Sequence, residues 1–379
     1  MPPKTQPKHS LEATFAATIQ KNWSYASFRY PSETPTTFIQ AGECPPVSDL
    51  NALENASGFL VAPFWLNAAH SYILQPDITL SGFEGTLVAD PKQCYAQLFD
   101  DQKTIENNWH LPQNEVETHH ATKPQFLAMV ENVLKKLKEL GLKKVVLSRT
   151  LAHQIPTAYS PTAFFELLCQ SYPNAFVSLV SLPHVGTWIG ASPELLLEIN
   201  NDKTLKTVAL AGTRHKLNPE STWGSKEIEE QALVSEYLLR FFEKLALKNS
   251  PKNHTETTEA GDLLHLKTSF EVALNQDLDV NQVLQMLHPT PAVGGLPKLE
   301  AQKIIAETEP HSRNFYAGFW GILNKPALGG TRLFVNLRTM QLLKNQFVLY
   351  VGAGITHQSD PEAEWKETEL KAQTLLKYL

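Results

Sequence analysis

The sequence predicts an α+β fold in which large, mostly antiparallel sheets carry flanking helices. Three observations lead there. Short apolar, β-branched runs recur between Gly, Pro and Asn breaks at hairpin-like spacing. Amphipathic helices interrupt these runs in blocks and do not alternate with them one for one, which argues against βαβ units. No phosphate-binding loop or Gly-x-Gly-x-x-Gly turn joins a strand to a helix, so a nucleotide-binding sheet is not indicated.

The elements follow in chain order. Before about residue 100, strand-like runs at Gly58–Ala62 and Ser71–Leu74 alternate with proline-rich breaks. Asn, Gln, His, Glu and Thr dominate from Asp100 to Lys123, which marks a seam between an N-terminal region, 1–118, and a larger unit, 119–379. Pro124 opens a helix with Phe126, Leu127, Val130, Val133, Leu134, Leu137 and Leu140 at helical spacing, and Gly141 caps it. Strands are expected at Lys144–Arg149, Phe176–Leu182, Leu195–Ile199 and Lys206–Leu210, and a long helix from about Ser225 to Asn249. Gly330–Ile355 reads as two strands joined near Lys344 and Asn345. A strand ending in Gly352-Ala-Gly354 then meets a short polar loop and a helix rich in carboxylates.

Composition narrows the function classes. The 379 residues suffice for one large core or two domains, and 42% hydrophobic with 19% charged residues describe an ordinary soluble protein. A net charge of −6 without a basic block argues against nucleic acid as a partner. No apolar run approaches the ~20 residues that span a bilayer, and the N-terminus lacks the apolar core of a signal peptide, so no membrane association is expected. Cys44, Cys94 and Cys169 are too few and too scattered for a disulfide framework or a zinc site, which fits a reducing, cytoplasmic setting.

Several residues stand out chemically. On the closing helix Glu364, Glu367 and Lys371 share one face, beside a glycine turn where a ligand can approach the backbone. They form either a solvated face with i,i+4 ion pairs or a place for a hard cation and an anion. Lys144 heads an apolar strand; it is either an edge lysine in solvent or a desolvated amine able to act as a general base. Glu194 precedes the apolar run Leu195-Leu-Leu; it is either a strand-edge carboxylate or an acid kept protonated against an apolar wall. Glu227 and Glu230 complement their helix dipole, or Glu230 joins Glu367 to supply two carboxylates to Mg²⁺. The Pro- and Gly-rich stretch Leu287–Pro297 makes a rigid loop with His288 and Thr290 as polar tips. Arg338, read as lying inside an apolar strand, needs a partner if buried, and a ligand carboxylate would serve.

Taken together these segments resemble the chorismate-utilising enzymes, and isochorismate synthases in particular. The matching stretches are Lys144-Val-Val-Leu-Ser-Arg, Gly190-Ala-Ser-Pro-Glu-Leu, Leu210-Ala-Gly-Thr213, Lys226-Glu-x-x-Glu-Gln, His288-Pro-Thr-Pro-Ala-Val, Glu309-Pro-x-x-Arg313 and Gly352-Ala-Gly-Ile with Glu364-Trp-x-Glu-Thr-x-x-x-Lys371. They span roughly residues 120–379 in the family's order. The resemblance implies the fold of the chorismate-binding enzymes and of anthranilate synthase component I. It implies Lys144 as the base that activates water for attack at C2 of chorismate, and Glu194 as the acid for the departing C4 hydroxyl. It assigns Glu230 and Glu367 to Mg²⁺ with Glu364 and Glu227 close by, Arg338 and Lys371 to substrate carboxylates, and Thr213 with the backbone near Gly352 and Gly354 to the ring carboxylate. His288 is expected on the substrate side of its loop.

Ala211 stands where a family branch carries a nucleophilic lysine, so water or ammonia must attack. The His288-Pro-Thr-Pro loop resembles isochorismate synthases, the Leu-Leu-Glu-Ser signature of tryptophan feedback is missing, and no amidotransferase is fused. The implied activity is Mg²⁺-dependent conversion of chorismate to isochorismate by a monomer that needs no amidotransferase partner. Salicylate synthase, an ammonia-using anthranilate synthase-type enzyme and a silent chorismate-binding subunit are the alternatives. Menaquinone and siderophore routes are both open for the product. The sequence departs from the family at His311-Ser312 between Pro310 and Arg313, at Gln231 in place of histidine, in a short loop between Gly212 and Ser225, and in its first hundred residues, which match loosely.

Overall fold

The structure, a computed structural model, describes residues 9–47, 56–100, 108–113, 119–216, 222–245, 247, 249–275 and 278–379. Among them, nineteen strands form two sheets, and every strand pairing is antiparallel. The ten-stranded sheet runs β15 (Gly295–Leu296), β8 (Lys144–Gln154), β19 (Gln346–Ile355), β18 (Thr339–Leu342), β10 (Gly186–Ser192), β9 (Phe176–Leu182), β1 (Ser24–Arg29), β2 (Thr36–Gln40), β6 (Ile78–Ser81) and β7 (Thr86–Ala89). The nine-stranded sheet runs β13 (Lys252–Ala260), β14 (Leu263–Ala273), β12 (Thr204–His215), β11 (Leu195–Ile199), β17 (Gly330–Val335), β16 (Phe319–Lys325), β4 (Gly58–Ala62), β5 (Ser71–Leu74) and β3 (Pro46–Val47).

The central strands are apolar at every position because both of their faces are covered. Along β9 and β10, Val180 and Trp188 enter the core between the sheets, while Leu179 and Ile189 enter a second core on the other side. That second core is closed by α1 (Leu11–Gln20) and α4 (Pro161–Ser171) through Phe15, Phe165 and Leu168. The inter-sheet core contains Phe28, Phe59, Trp188, Trp320 and Phe334. Phe28 and Phe59 come from the first hundred residues, so strands of that region extend both sheets and share their core.

Helices cover the end of the sandwich that matters for chemistry. α3 (Lys123–Leu140) begins in a Thr122–Gln125 capping box and ends at Gly141 with φ +66°. It packs on α8 (Pro361–Leu376), β8 and β19, while α7 (Lys298–Thr308) lies on β8. α5 (Ser225–Lys244) lies on β12 and β14. α6 (Val280–Leu287) leads into the Pro-rich loop. Among the described residues no helix is long and apolar enough to cross a membrane.

Three sequence expectations change. The long helix ends at Lys244, with Leu245 as its C-cap, and not near Asn249. Lys206–Leu210 is the middle of a longer strand, β12. Gly330–Ile355 forms three strands: β17 belongs to the nine-stranded sheet, and Asn336–Arg338 carry the chain across to β18 in the other. Arg338 therefore lies at a crossover with φ +48°, outside any strand. The polar stretch Asp100–Lys123 and the loop Gly212–Ser225 fall partly outside the described residues, and the first eight residues lie wholly outside them.

Candidate active site

A cleft opens where the chain passes between the sheets. β8 and β19 pair in register, Val146 opposite Gly354 and Ser148 opposite Gly352. The two glycines are required by close approach. A Cβ on Gly354 would lie 2.3 Å from Glu230 Oε1 and 2.8 Å from Lys144 Cε; one on Gly352 would lie 2.8 Å from the Tyr316 hydroxyl. Gly354→Ala should therefore displace the Lys144–Glu230 pair and lower kcat at least about tenfold with thermal stability nearly kept, in steady-state kinetics set beside a melting curve.

Glu194 sits at the other crossover, between β10 and β11, and is buried. Its carboxyl accepts from Thr290 Oγ1 at 3.4 Å. Burial pushes it up to about 7, against the opposing pull of Lys144, Thr290 and Lys371. It is thus a carboxylic acid poised to hold a proton near neutrality.

Arg338 meets the cleft from the crossover before β18. Its guanidinium donates to Thr374 Oγ1 at 2.8 Å and to His265 Nε2 at 3.2 Å. His265 in turn donates from Nδ1 to Gly212 O at 2.9 Å, which fixes its tautomer. Burial first, and Arg338 second, lower His265 to about 3, so it stays neutral and accepts. Gly212 has φ +68° and lies at a bulge where β12 slips against β14, which turns Thr213 and Gly212 toward His265. The buried Arg338 has a hydroxyl and an imidazole as hydrogen-bond partners, so an anion entering the cleft would find its charge uncommitted.

The remaining charged residues stand in pairs. Lys144 Nζ is 2.7 Å from Glu230 Oε1 and fully buried. Lys371 Nζ donates to Glu367 Oε1 at 2.7 Å and to Gly352 O at 2.8 Å. Lys226 Nζ donates to Glu364 Oε1 at 2.5 Å. Burial, then Glu367, raise Glu364 to about 7. Burial opposes ionisation of Glu367 too, but the ammoniums of Lys371 and Lys226 outweigh it and hold that carboxyl below the usual range.

Of the residues singled out from sequence, Glu194, Thr213, Glu230, Arg338, Gly352, Gly354, Glu367 and Lys371 line the cleft together. Lys144 stands directly behind Glu230 and Gly354, and Glu364 behind Glu367 with no exposed surface. Two do not join them. His288 turns into the wall, where Nε2 donates to Phe64 O at 3.0 Å between Phe64 and Phe319; burial lowers it to about 3. Its loop neighbour Thr290 makes the polar contact instead. Glu227 folds back on its own first turn, so that a Cβ on Gly224 would lie 2.5 Å from its Oε2. Among the described residues no three His, Cys, Asp or Glu side chains converge on one point as a ready cation site.

Sequence reasoning missed His265, Tyr316 and Tyr350, all of which line the cleft. His265, between Leu264 and Leu266 in an apolar strand, carried a readable signal: a buried polar ring needs a partner. The two tyrosines, stacked at 5.5 Å, carried none.

Arg313 binds Glu309 through both Nε (2.8 Å) and Nη2 (2.6 Å), and donates to Val293 O (2.8 Å) and Val146 O (2.7 Å). It thereby ties the Pro-rich loop to the strand that carries Lys144, and His311 bonds Ser148 Oγ at 3.0 Å beside it. Arg149 lies 3.7 Å over the Trp365 ring and donates to Thr368, which anchors α8 on β8.

Known proteins share stretches of this sequence and this fold. Residues 74–379 match the family model for chorismate binding enzymes. Isochorismate synthase EntC of Escherichia coli is 32% identical over 247 residues, 62% of this chain and 61% of that protein. Isochorismate synthase MenF of the same organism is 31% identical over 270 residues, 68% of this chain and 61% of that protein. The chain thus spans about three fifths of the length of the curated relatives it matches. The solved structure of MenF, the menaquinone-specific isochorismate synthase of Escherichia coli, superposes with a TM-score of 0.75 at 24% identity, covering 98% of this chain and 93% of that one.

Proposed function

This chain belongs to the chorismate-binding enzyme family, and from that premise we propose that it converts chorismate to isochorismate. The observation that carries the reading is a buried glutamic acid, Glu194, in a cleft that also holds Arg338 and Lys371, with a buried lysine, Lys144, directly behind the Glu230 and Gly354 of that cleft.

The chemistry balances on these groups. A water oxygen adds at C2 of the ring and its proton passes to the Lys144 amine. The ring double bonds shift, and the C4 hydroxyl leaves as water on receiving the proton of Glu194. Glu230 then holds the Lys144 ammonium that results. Arg338 and Lys371 take the substrate's carboxylates, and Arg338 is held for that by the neutral His265. The burial of Glu194 keeps its proton available near neutrality.

Mg²⁺ fits the residues present. Glu230, Glu364 and Glu367 offer the hard oxygen donors it prefers, Glu364 Oε2 is buried without a hydrogen-bond partner, and an ammonium, that of Lys226, already bonds Glu364 Oε1. These residues, which do not converge on one point in the metal-free protein, would have to draw together to hold it, and when bound it would neutralise a substrate carboxylate and draw electron density from the ring. The protein acts in this reading as a monomer of the soluble phase, without an amidotransferase.

Chorismate with millimolar Mg²⁺ should give isochorismate by chromatography, with no aminated product when ammonium is added and no salicylate. Unchanged chorismate would sink the reading, and an aminated ring would move it to the ammonia-using branch.

A further inference from the structure

The chemistry above leaves Lys226 without a task. It is the second residue of α5, and it reaches across to Glu364 on α8. Glu364 is the carboxylate it bonds, and the charges of Glu367 and Glu230 act on it from further off. Lys371 already holds Glu367, and Lys144 already holds Glu230. The second oxygen of Glu364 stays unpartnered, since the Ser359 hydroxyl beside it donates to Gly354 O at 3.4 Å. Glu364 has no exposed side-chain surface, whereas a fifth of the Lys226 side chain is open to solvent.

We propose that Lys226 is a built-in counter-cation: it occupies Glu364 while no metal is present, and it must swing out for a divalent cation to enter, so that it sets metal affinity. The inference rests on reading Glu230, Glu364 and Glu367 as the metal ligands. A carboxyl group in a buried wall resists ionisation beside other carboxylates, and a neighbouring ammonium offsets that. A lysine suits the task because its stem is flexible and its head hydrates readily once released. The energy of breaking the Lys226–Glu364 bond is subtracted from whatever the metal gains, so removing the lysine leaves a vacant, more negative site. The same residue thus stabilises the metal-free protein and weakens its hold on the metal.

Calorimetric titration with Mg²⁺ alone, without chorismate, tests this on wild type, Lys226→Met, Lys226→Gln and Lys226→Arg. The Met and Gln variants should bind Mg²⁺ about tenfold more tightly than wild type, and the Arg variant should stay near wild type or weaker. Their metal-free forms should melt lower than wild type and recover on adding Mg²⁺. In a Glu364→Gln background the gain from Lys226→Met should vanish, since the competing pair is gone. Equal or weaker Mg²⁺ binding in both Met and Gln variants overturns the proposal while leaving the metal site intact. Absence of Mg²⁺ binding in every variant, with and without chorismate, overturns the metal reading itself and the proposal with it. If Lys226→Met does not fold, Lys226→Gln, which keeps a polar head, carries the comparison.

Discussion

Glu194→Gln is expected to lower kcat for chorismate conversion by about 10²–10⁴ while KM and thermal stability stay near wild type. The amide keeps the shape and can still accept from Thr290, so binding in the cleft survives. What it loses is the proton that must reach the departing hydroxyl. The pH dependence gives an independent check. Burial raises Glu194 to about 7, so its acid form, and with it the rate, should fall as pH rises through about 7 or higher once a dianionic substrate adds its own field. Because the folded state holds this proton more tightly than the unfolded chain, the residue's stabilising contribution is present below the ordinary carboxylate value and is lost as pH rises through about 7. Both dependences should flatten in the Gln variant. A Gln variant that turns over at the wild-type rate removes Glu194 from the acid role.

Lys144 gives the second large effect, and here two substitutions separate chemistry from stability. Lys144→Ala should cost turnover by about 10²–10⁴ and also destabilise the fold by roughly 3–5 kcal/mol, because Glu230 is left as an unpaired carboxylate in a buried wall. Lys144→Arg keeps the positive charge opposite Glu230 but cannot act as a base, since a guanidinium does not give up its proton in this range. Its melting temperature should fall much less than that of the Ala variant, while its activity falls as far. Urea unfolding of the three proteins, read beside their steady-state rates, makes the comparison. Activity kept in Lys144→Arg would show that the lysine serves only as a counter-charge.

Much of the cleft is legible in the sequence. The helix from Lys123 to Leu140, the strands Phe176–Leu182 and Leu195–Ile199, and the glycine turn ahead of the last helix follow from periodicity, β-branching and capping. Spacing put Glu364, Glu367 and Lys371 on one face, and eight of the named residues do line one cleft. His288 illustrates the limit. A histidine in a rigid loop has two sides to choose from, and the carbonyl of Phe64, 224 positions away in sequence, decided for the wall. Arg338 illustrates another. Its apolar neighbours read as a strand, yet the chain changes sheets there, and that crossover is what aims the guanidinium at His265.

By itself the sequence determined the element types, the antiparallel character of the sheets and the inventory of acids and bases, because these depend on local periodicity and side-chain chemistry. Only the tertiary structure decided which charges are partners. Lys144 with Glu230, Lys226 with Glu364 and Lys371 with Glu367 give one cation to each carboxylate, and two of these pairs join segments more than eighty residues apart. Burial then sets their strength: the same glutamate is an ordinary surface acid in water and a proton donor near neutrality behind a wall of leucine and valine, and no local pattern in the chain measures how much water the fold will exclude.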